Sequence, residues 1–268
     1  MGTRKTVVAG QFYPNSATKI QEMFTQYNHI IVANLDSTKY KNSKPRAIIV
    51  PHAGYIYSGF SASVAYNLIQ NSNPKRIVVI GPSHHAYIDG TSITDYDSYE
   101  TPLGALKIDT DLVVELKKTF DLQFYPDAQF EHSTEVQMPF IKYYIPGTSV
   151  VELVYGRQDP KALAKIISFL LTDSQTAIVI STDLSHYYDI DKAKQLDSIC
   201  LEAVKQLNTV SLHQGCEACG MIGVEAMLLC AKEKGLKSIL LDYRTSADAS
   251  GDEHQVVGYM SAAFISQD

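Results

Sequence analysis

Apolar residues along the chain gather into short β-branched runs, separated by longer stretches in which they recur every three or four positions. The runs at 47–50, 76–80, 149–154, 176–181 and 238–241, with a last one over 256–264, read as strands. Helical spacing marks 59–70, 110–120, 160–171, 191–207 and 217–234. Asp111, Asp159 and Asp191 stand where an acidic side chain meets the positive end of a helix dipole. Gly235, after Lys232 and Lys234, reads as a helix stop. Strands apolar on both faces, alternating with helices of this length, predict an α/β fold with a mostly parallel central sheet flanked by helices. Residues 86–103, rich in Tyr, Asp and Gly, are the place for a loop or hairpin excursion. No repeat or low-complexity linker interrupts the pattern, so residues 1–268 read as a single domain.

Composition narrows the classes without choosing among them. Hydrophobic residues are 45 % and charged residues 19 % of 268, a globular balance. A formal charge of −6 argues against an electrostatic grip on nucleic acid or on a membrane of anionic lipid. No apolar run reaches the roughly 18 residues of a membrane span. The opening residues meet polar Gln11 and Pro14 before a signal-type apolar core could form. Cys200, Cys216, Cys219 and Cys230 are too few and too clustered for a disulfide scaffold. The expectation is a cytoplasmic protein.

The chemistry lies where strands end. Val50 runs into Pro51-His52-Ala53-Gly54-Tyr55, Ile80 into Gly81-Pro82-Ser83-His84-His85, and Ile180 into Ser181-Thr182-Asp183-Leu184-Ser185-His186. Ligands bind beyond the carboxyl ends of parallel strands, so three such turns predict one shared crevice rather than three packing histidines. Neutral imidazoles ligate transition metals, and two of them with one anionic donor present iron(II) with open positions. A further histidine beside Asp183 fits an oriented acid/base. A Ser–His–Asp hydrolase is the weaker reading, for no G-x-S-x-G elbow exposes a nucleophile. Nor does the chain carry a Walker A or G-x-G-x-x-G loop. In Glu131-His132-Ser133-Thr134-Glu135, Ser133 fits a helix cap with both glutamates supporting the first turn. His132 fits either a site contact or a hydrogen-bonded wall.

Cys216-Glu217-Ala218-Cys219 leaves three readings open. A redox dithiol and a zinc site with His213 both fit poorly: thioredoxin-type motifs follow an early strand, and zinc needs more ligands. The third is a single Cys219 thiolate favoured by the start of a helix. Cys200 and Cys230 fall in apolar helical pattern and read as core.

Taken together, these segments resemble the Memo family. Val8-Ala9-Gly10-Gln11-Phe12-Tyr13-Pro14, the 51–55, 81–85, 131–135 and 181–186 segments, Ala218-Cys219-Gly220 and Val256-Val257-Gly258-Tyr259 occur in the family's order over the whole chain. The family is similar in fold to class III extradiol dioxygenases, whose iron sits on two histidines and a glutamate. The resemblance implies His52 and His84 in the histidine positions, with His85 as the neighbour if the assignment slips by one. Cys219 would then replace the carboxylate, with Asp183 and His186 lining the pocket as catalytic residues. A thiolate softens such a site towards copper as well as iron, with zinc a further candidate. Microbial members are known as AmmeMemoRadiSam system protein B, which implies a radical S-adenosylmethionine protein and a third protein as partners. Animal members are described as peptide binders. The leading expectation is therefore iron- or copper-dependent redox chemistry on an unassigned substrate. The alternative is a non-enzymatic module that binds a peptide or partner in the same pocket, and a third reading is zinc-dependent hydrolysis with His186 as base.

Overall fold

The computed structural model of the protein describes residues 2–34 and 42–266; Met1, residues 35–41 and the last two lie outside it, and with them both ends of the expected 1–268 domain. The chain begins with β1 (Thr3–Arg4), α1 (Ala17–Asn34), β2 (Pro45–Val50), α2 (Tyr55–Ile69) and β3 (Arg76–Pro82). The excursion at 86–103 holds β4 (Thr91–Ile93) and β5 (Ser98–Tyr99), followed by β6 (Leu106–Lys107), α3 (Thr110–Phe120), α4 (His132–Glu135) and α5 (Gln137–Tyr144). Next come β7 (Ser149–Tyr155), α6 (Pro160–Leu170), β8 (Thr176–Ser181), β9 (His186–Tyr188) and α7 (Ile190–Gln206). The chain closes with α8 (Thr209–Leu212), α9 (Met221–Glu233), β10 (Leu236–Thr245), α10 (Ala247–Ser250) and β11 (Val256–Ser266).

The main sheet runs β10-β11-β2-β8-β3-β7-β4, with β9 paired to β11. Its centre, β2-β8-β3-β7, is parallel, and its apolar runs are the buried spine of the core. The flanks are antiparallel: β11 against β2, β10 against β11, and β4 against β7. The α/β fold with its parallel centre is thus as the sequence pattern predicts, and the antiparallel flanks make the sheet mixed rather than purely parallel. An antiparallel neighbour needs only a short return, so β10 and β11 pair directly without a crossover helix. One group of helices (α1, α2, α5) packs together against β2 and β11, and a second (α6, α7, α8, α9) packs together against β8, β3 and β10.

Two helices escape the amphipathic pattern for physical reasons. α2 starts at Tyr55, before the expected position 59, because Ser58, Gly59, Ser61, Ala62 and Ser63 are all buried and leave no polar face to mark a period. α1 buries Ile20, Phe24 and Ile31 among many polar residues, too diluted a signal to stand out. Elsewhere local chemistry acts as expected. Asp159 caps α6, Asp109 and Asp189 cap the helices in whose first turns Asp111 and Asp191 sit, and Gly235 follows α9 at φ +63.

The N-terminal segment is fastened to the site by Glu135. Its carboxylate, fully buried at the end of α4, accepts from the Arg4 guanidinium, from the backbone N–H groups of Val7 and Val8 (2.9 Å each) and from Tyr13 Oη at 2.8 Å. A buried charge needs this many donors. Gly81 then allows α4 to lie directly on the end of β3: a Cβ there would stand 2.6 Å from Ser133 Oγ and 2.9 Å from Thr134 Cγ2.

Candidate metal centre

β2, β8 and β3 are adjacent parallel strands, so their carboxyl ends open side by side and deliver His52, Asp183 and His84 to one place. α4, held close by Gly81, adds His132 from the side. His52, His84 and His132 each offer a nitrogen, all within 4.8 Å of one another. Ring centroids lie 5.2 Å apart for His52–His84, 5.4 Å for His52–His132 and 4.6 Å for His84–His132. The turns carrying His52 and His84 thus converge as expected, and His132 joins them.

Hydrogen bonds behind the rings decide which nitrogen faces the cluster. Ser181 Oγ donates its one proton to Ser133 O at 2.5 Å, so its oxygen accepts from Gln137 Nε2 (2.9 Å) and from His52 Nδ1 (3.0 Å). That arrangement protonates His52 at Nδ1 and leaves a lone pair on Nε2. Burial, with His84 and His132 alongside, drives the His52 imidazole well below its ordinary pKa, so it is neutral. His84 Nδ1 lies 3.0 Å from Glu131 Oε1, and a carboxylate can only accept, so His84 also turns Nε2 outward. Glu131 Oε2 accepts the His84 backbone N–H at 2.6 Å. His132 Nδ1 lies 2.9 Å from Glu131 Oε1 but without a directed N–H alignment, so that contact is chiefly electrostatic. Although burial opposes its ionisation, the His132 and His84 imidazoles and the His84 N–H hold the Glu131 carboxyl well below the usual range.

Glu131 also caps α4, accepting from Ser133 N at 3.1 Å. Ser133 is not the cap; its hydroxyl donates back to Pro82 O at 2.7 Å and seals α4 to β3. Sequence reasoning left Glu131 as helix support and passed over Gln137. Adjacency to His132 could have flagged the first; a lone Gln carries no signal of its own.

Cys219 stands against one histidine of the set, with Sγ 3.3 Å from His52 Nε2. The 218–220 loop is clamped to the β8 turn. Cys219 N donates to Asp183 O at 3.2 Å, Asp183 N points at Cys219 Sγ at 3.2 Å, and Gly220 N donates to Thr182 Oγ1 at 2.8 Å. A Cβ at Gly220 would lie 2.6 Å from Thr182 Cβ, so only glycine permits this approach. The surroundings of Cys219 favour the thiol over the thiolate that a helix start would favour. Burial first, then the Asp183 carboxylate, pushes the thiol up to about 12, outweighing the dipole of α9. Asp183, itself raised by burial, accepts the His52 backbone N–H at 2.7 Å, and its other oxygen lies 4.0 Å from His52 Nε2. His186 begins β9 at a half-buried position.

The C-x-x-C cysteines do not pair with each other. Cys216 forms a disulfide with Cys200 of α7, which corrects the reading of Cys200 as a plain core thiol. Chain separation hid the pair, since sequence shows adjacency along the chain and not across helices. His213 instead meets Glu225 at 3.0 Å. Beside the centre, Phe12 packs on His132 at 4.7 Å, and Phe12, Tyr13, Gly54 and Tyr57 help to line a pocket of about 360 Å³.

Comparison with known proteins agrees with the geometry. A family model described as Memo-like protein matches residues 4–263. A MEMO1 family protein of Aquifex aeolicus is 32 % identical over 99 % of this chain and 100 % of its own. Another from Metallosphaera sedula is 32 % identical over 97 % and 99 %, and one from Thermoplasma volcanium 31 % over 96 % and 97 %. The crystal structure of an uncharacterised protein from Escherichia coli K12 superposes with a TM-score of 0.53 at 13 % identity, covering 82 % of this chain and 99 % of that one, a likeness of fold alone. With residues 4–263 matched and the histidine turns gathered at the carboxyl ends of the central strands, this chain belongs to the Memo family.

Proposed function

We propose that the protein is a metalloprotein that holds one redox-active ion, iron or copper, on His52, His84 and Cys219, with His132 on the remaining side. The observation that carries this reading is the group of three imidazole nitrogens within 4.8 Å, drawn from three separate elements. The donors fit such an ion. His52 and His84 are turned outward through Nε2 by Ser181 and Glu131, as metal-bound histidines are turned by their hydrogen-bond partners. Imidazole with a sulfur donor suits iron, copper and zinc, and iron or copper bound there supplies one-electron redox chemistry.

The remaining residues handle protons and access. Cys219 gives up its thiol proton when it becomes a ligand. Asp183 fixes the His52 backbone and lies close enough to bias that proton's departure. In this reading His186 carries protons to a bound substrate, and the pocket lined by Phe12 and Gly54 serves as the approach. Zinc on the same ligands would make the site hydrolytic rather than redox-active. Metal analysis of protein purified aerobically without chelator, followed by oxygen-uptake assays with aromatic diols, tests the reading. Stoichiometric iron or copper with metal-dependent oxygen consumption supports it. Zinc alone, or no metal-dependent oxygen use, removes the redox chemistry.

A further inference from the structure

A second donor set overlaps the first. His85, Glu131 and His132 also offer one ligand atom each within 4.8 Å of one another. His132 belongs to both sets, and Glu131, a donor of the outer one, holds His84 of the inner one at 3.0 Å. The His85 and His132 rings lie 5.5 Å apart. Exposure varies within both sets. Side-chain exposure is 1 % at Glu131, 3 % at His52, 14 % at His132 and 30 % at His84, and His84 and His85 are the two exposed residues among them.

An exposed imidazole at the rim, that of His85, matters because an aqueous ion cannot reach a buried imidazole such as His52 without first losing hydration, which costs free energy unless protein donors replace water step by step. We propose that His85, Glu131 and His132 form an outer position where a divalent first-row transition ion docks, and through which it exchanges between solvent and the inner centre. The inference rests on reading the inner set as a metal centre. Two imidazoles and a carboxylate make a borderline donor set without sulfur, so the outer position binds more weakly than one that includes Cys219. Transfer is ligand exchange without a change of oxidation state. His132 stays bound, His85 nitrogen and Glu131 oxygen are released, His52 and His84 nitrogens are taken up, and the Cys219 thiol proton leaves to solvent as Sγ binds.

The test uses the metal-free full-length chain mixed rapidly with cobalt(II), whose thiolate charge-transfer absorption reports arrival beside Cys219. His85→Ala is expected to slow both uptake and chelator-driven loss by about tenfold or more, with the final cobalt content and absorption band unchanged. An unchanged uptake rate overturns the proposal. His52→Ala disables the inner set, and it is expected to retain weaker cobalt binding that disappears when His85→Ala is added. A His52→Ala protein that binds no cobalt eliminates the outer position while leaving the inner centre in place. Wild-type protein that binds none eliminates both.

Discussion

Burial and the Asp183 carboxylate hold the Cys219 thiol up to about 12. In the proposed centre, binding an ion near neutrality would have to expel that thiol's proton. Metal affinity should therefore rise about tenfold per pH unit between neutrality and mild alkalinity, a slope that competition titration against a chelator measures. Cys219→Ser should remove that slope and most of the affinity, since a serine hydroxyl stays protonated. Cys216→Ser, which breaks only the bond to Cys200, should keep the slope. Equal loss in both variants would shift the sulfur donor away from Cys219. A second residue-scale prediction concerns Glu152 of β7, which is fully buried and accepts from Thr134 Oγ1 at 2.5 Å. Burial lifts its carboxyl to about 7, despite Arg4 nearby. A folded-state pKa above the unfolded one means that the native chain binds the extra proton, so this group's contribution is full below about 4.5 and is lost as pH rises through about 7. Thermal unfolding should show Glu152→Gln gaining on wild type between pH 5 and pH 8, by roughly 1–3 kcal/mol. A constant difference across that range would contradict the assignment.

Element by element, the site depends on backbones that approach without side chains between them. Gly220→Ala should lower stability by roughly 1–3 kcal/mol and displace Cys219 from His52, because its Cβ would meet Thr182 Cβ at 2.6 Å. Gly147→Ala, whose Cβ meets nothing within 4 Å, serves as the control and should keep both stability and metal content. Denaturant unfolding and metal analysis of the two variants check this, and equal behaviour would refute the close-approach argument. The same elements show what a linear chain can and cannot announce. The runs ending at Val50, Ile80 and Ser181 are apolar on both faces and each precedes a histidine or Asp183, so the parallel centre and its crevice were readable. α4 is only four residues long, too short to show a period, so the role of His132 stayed open until Gly81 was seen to admit it. The antiparallel flank was legible as strands but not as pairing, because a period of apolar residues carries no direction. The Cys200–Cys216 bond joins α7 to the loop before α9, a proximity that arises only from helix packing.

Across the whole molecule, the segments that carry the family resemblance are those that build or brace this one place. Glu135 ties Arg4, Val7, Val8 and Tyr13 to α4, which is how residues near the N-terminus come to pack Phe12 against His132. Among the described residues no helix is long and apolar enough to cross a membrane. A ligand that binds only this folded arrangement adds stability by mass action, about 2.7 kcal/mol at a hundredfold excess over its dissociation constant. The proposed centre requires one ion among these residues. Diffraction from crystals of protein loaded with iron or copper, measured on both sides of the metal's absorption edge, locates it directly. One anomalous peak is expected about 2.0–2.3 Å from the outward nitrogens of His52 and His84 and from Cys219 Sγ. A peak elsewhere, or none beyond the carboxyl ends of β2, β8 and β3, would contradict the proposed centre.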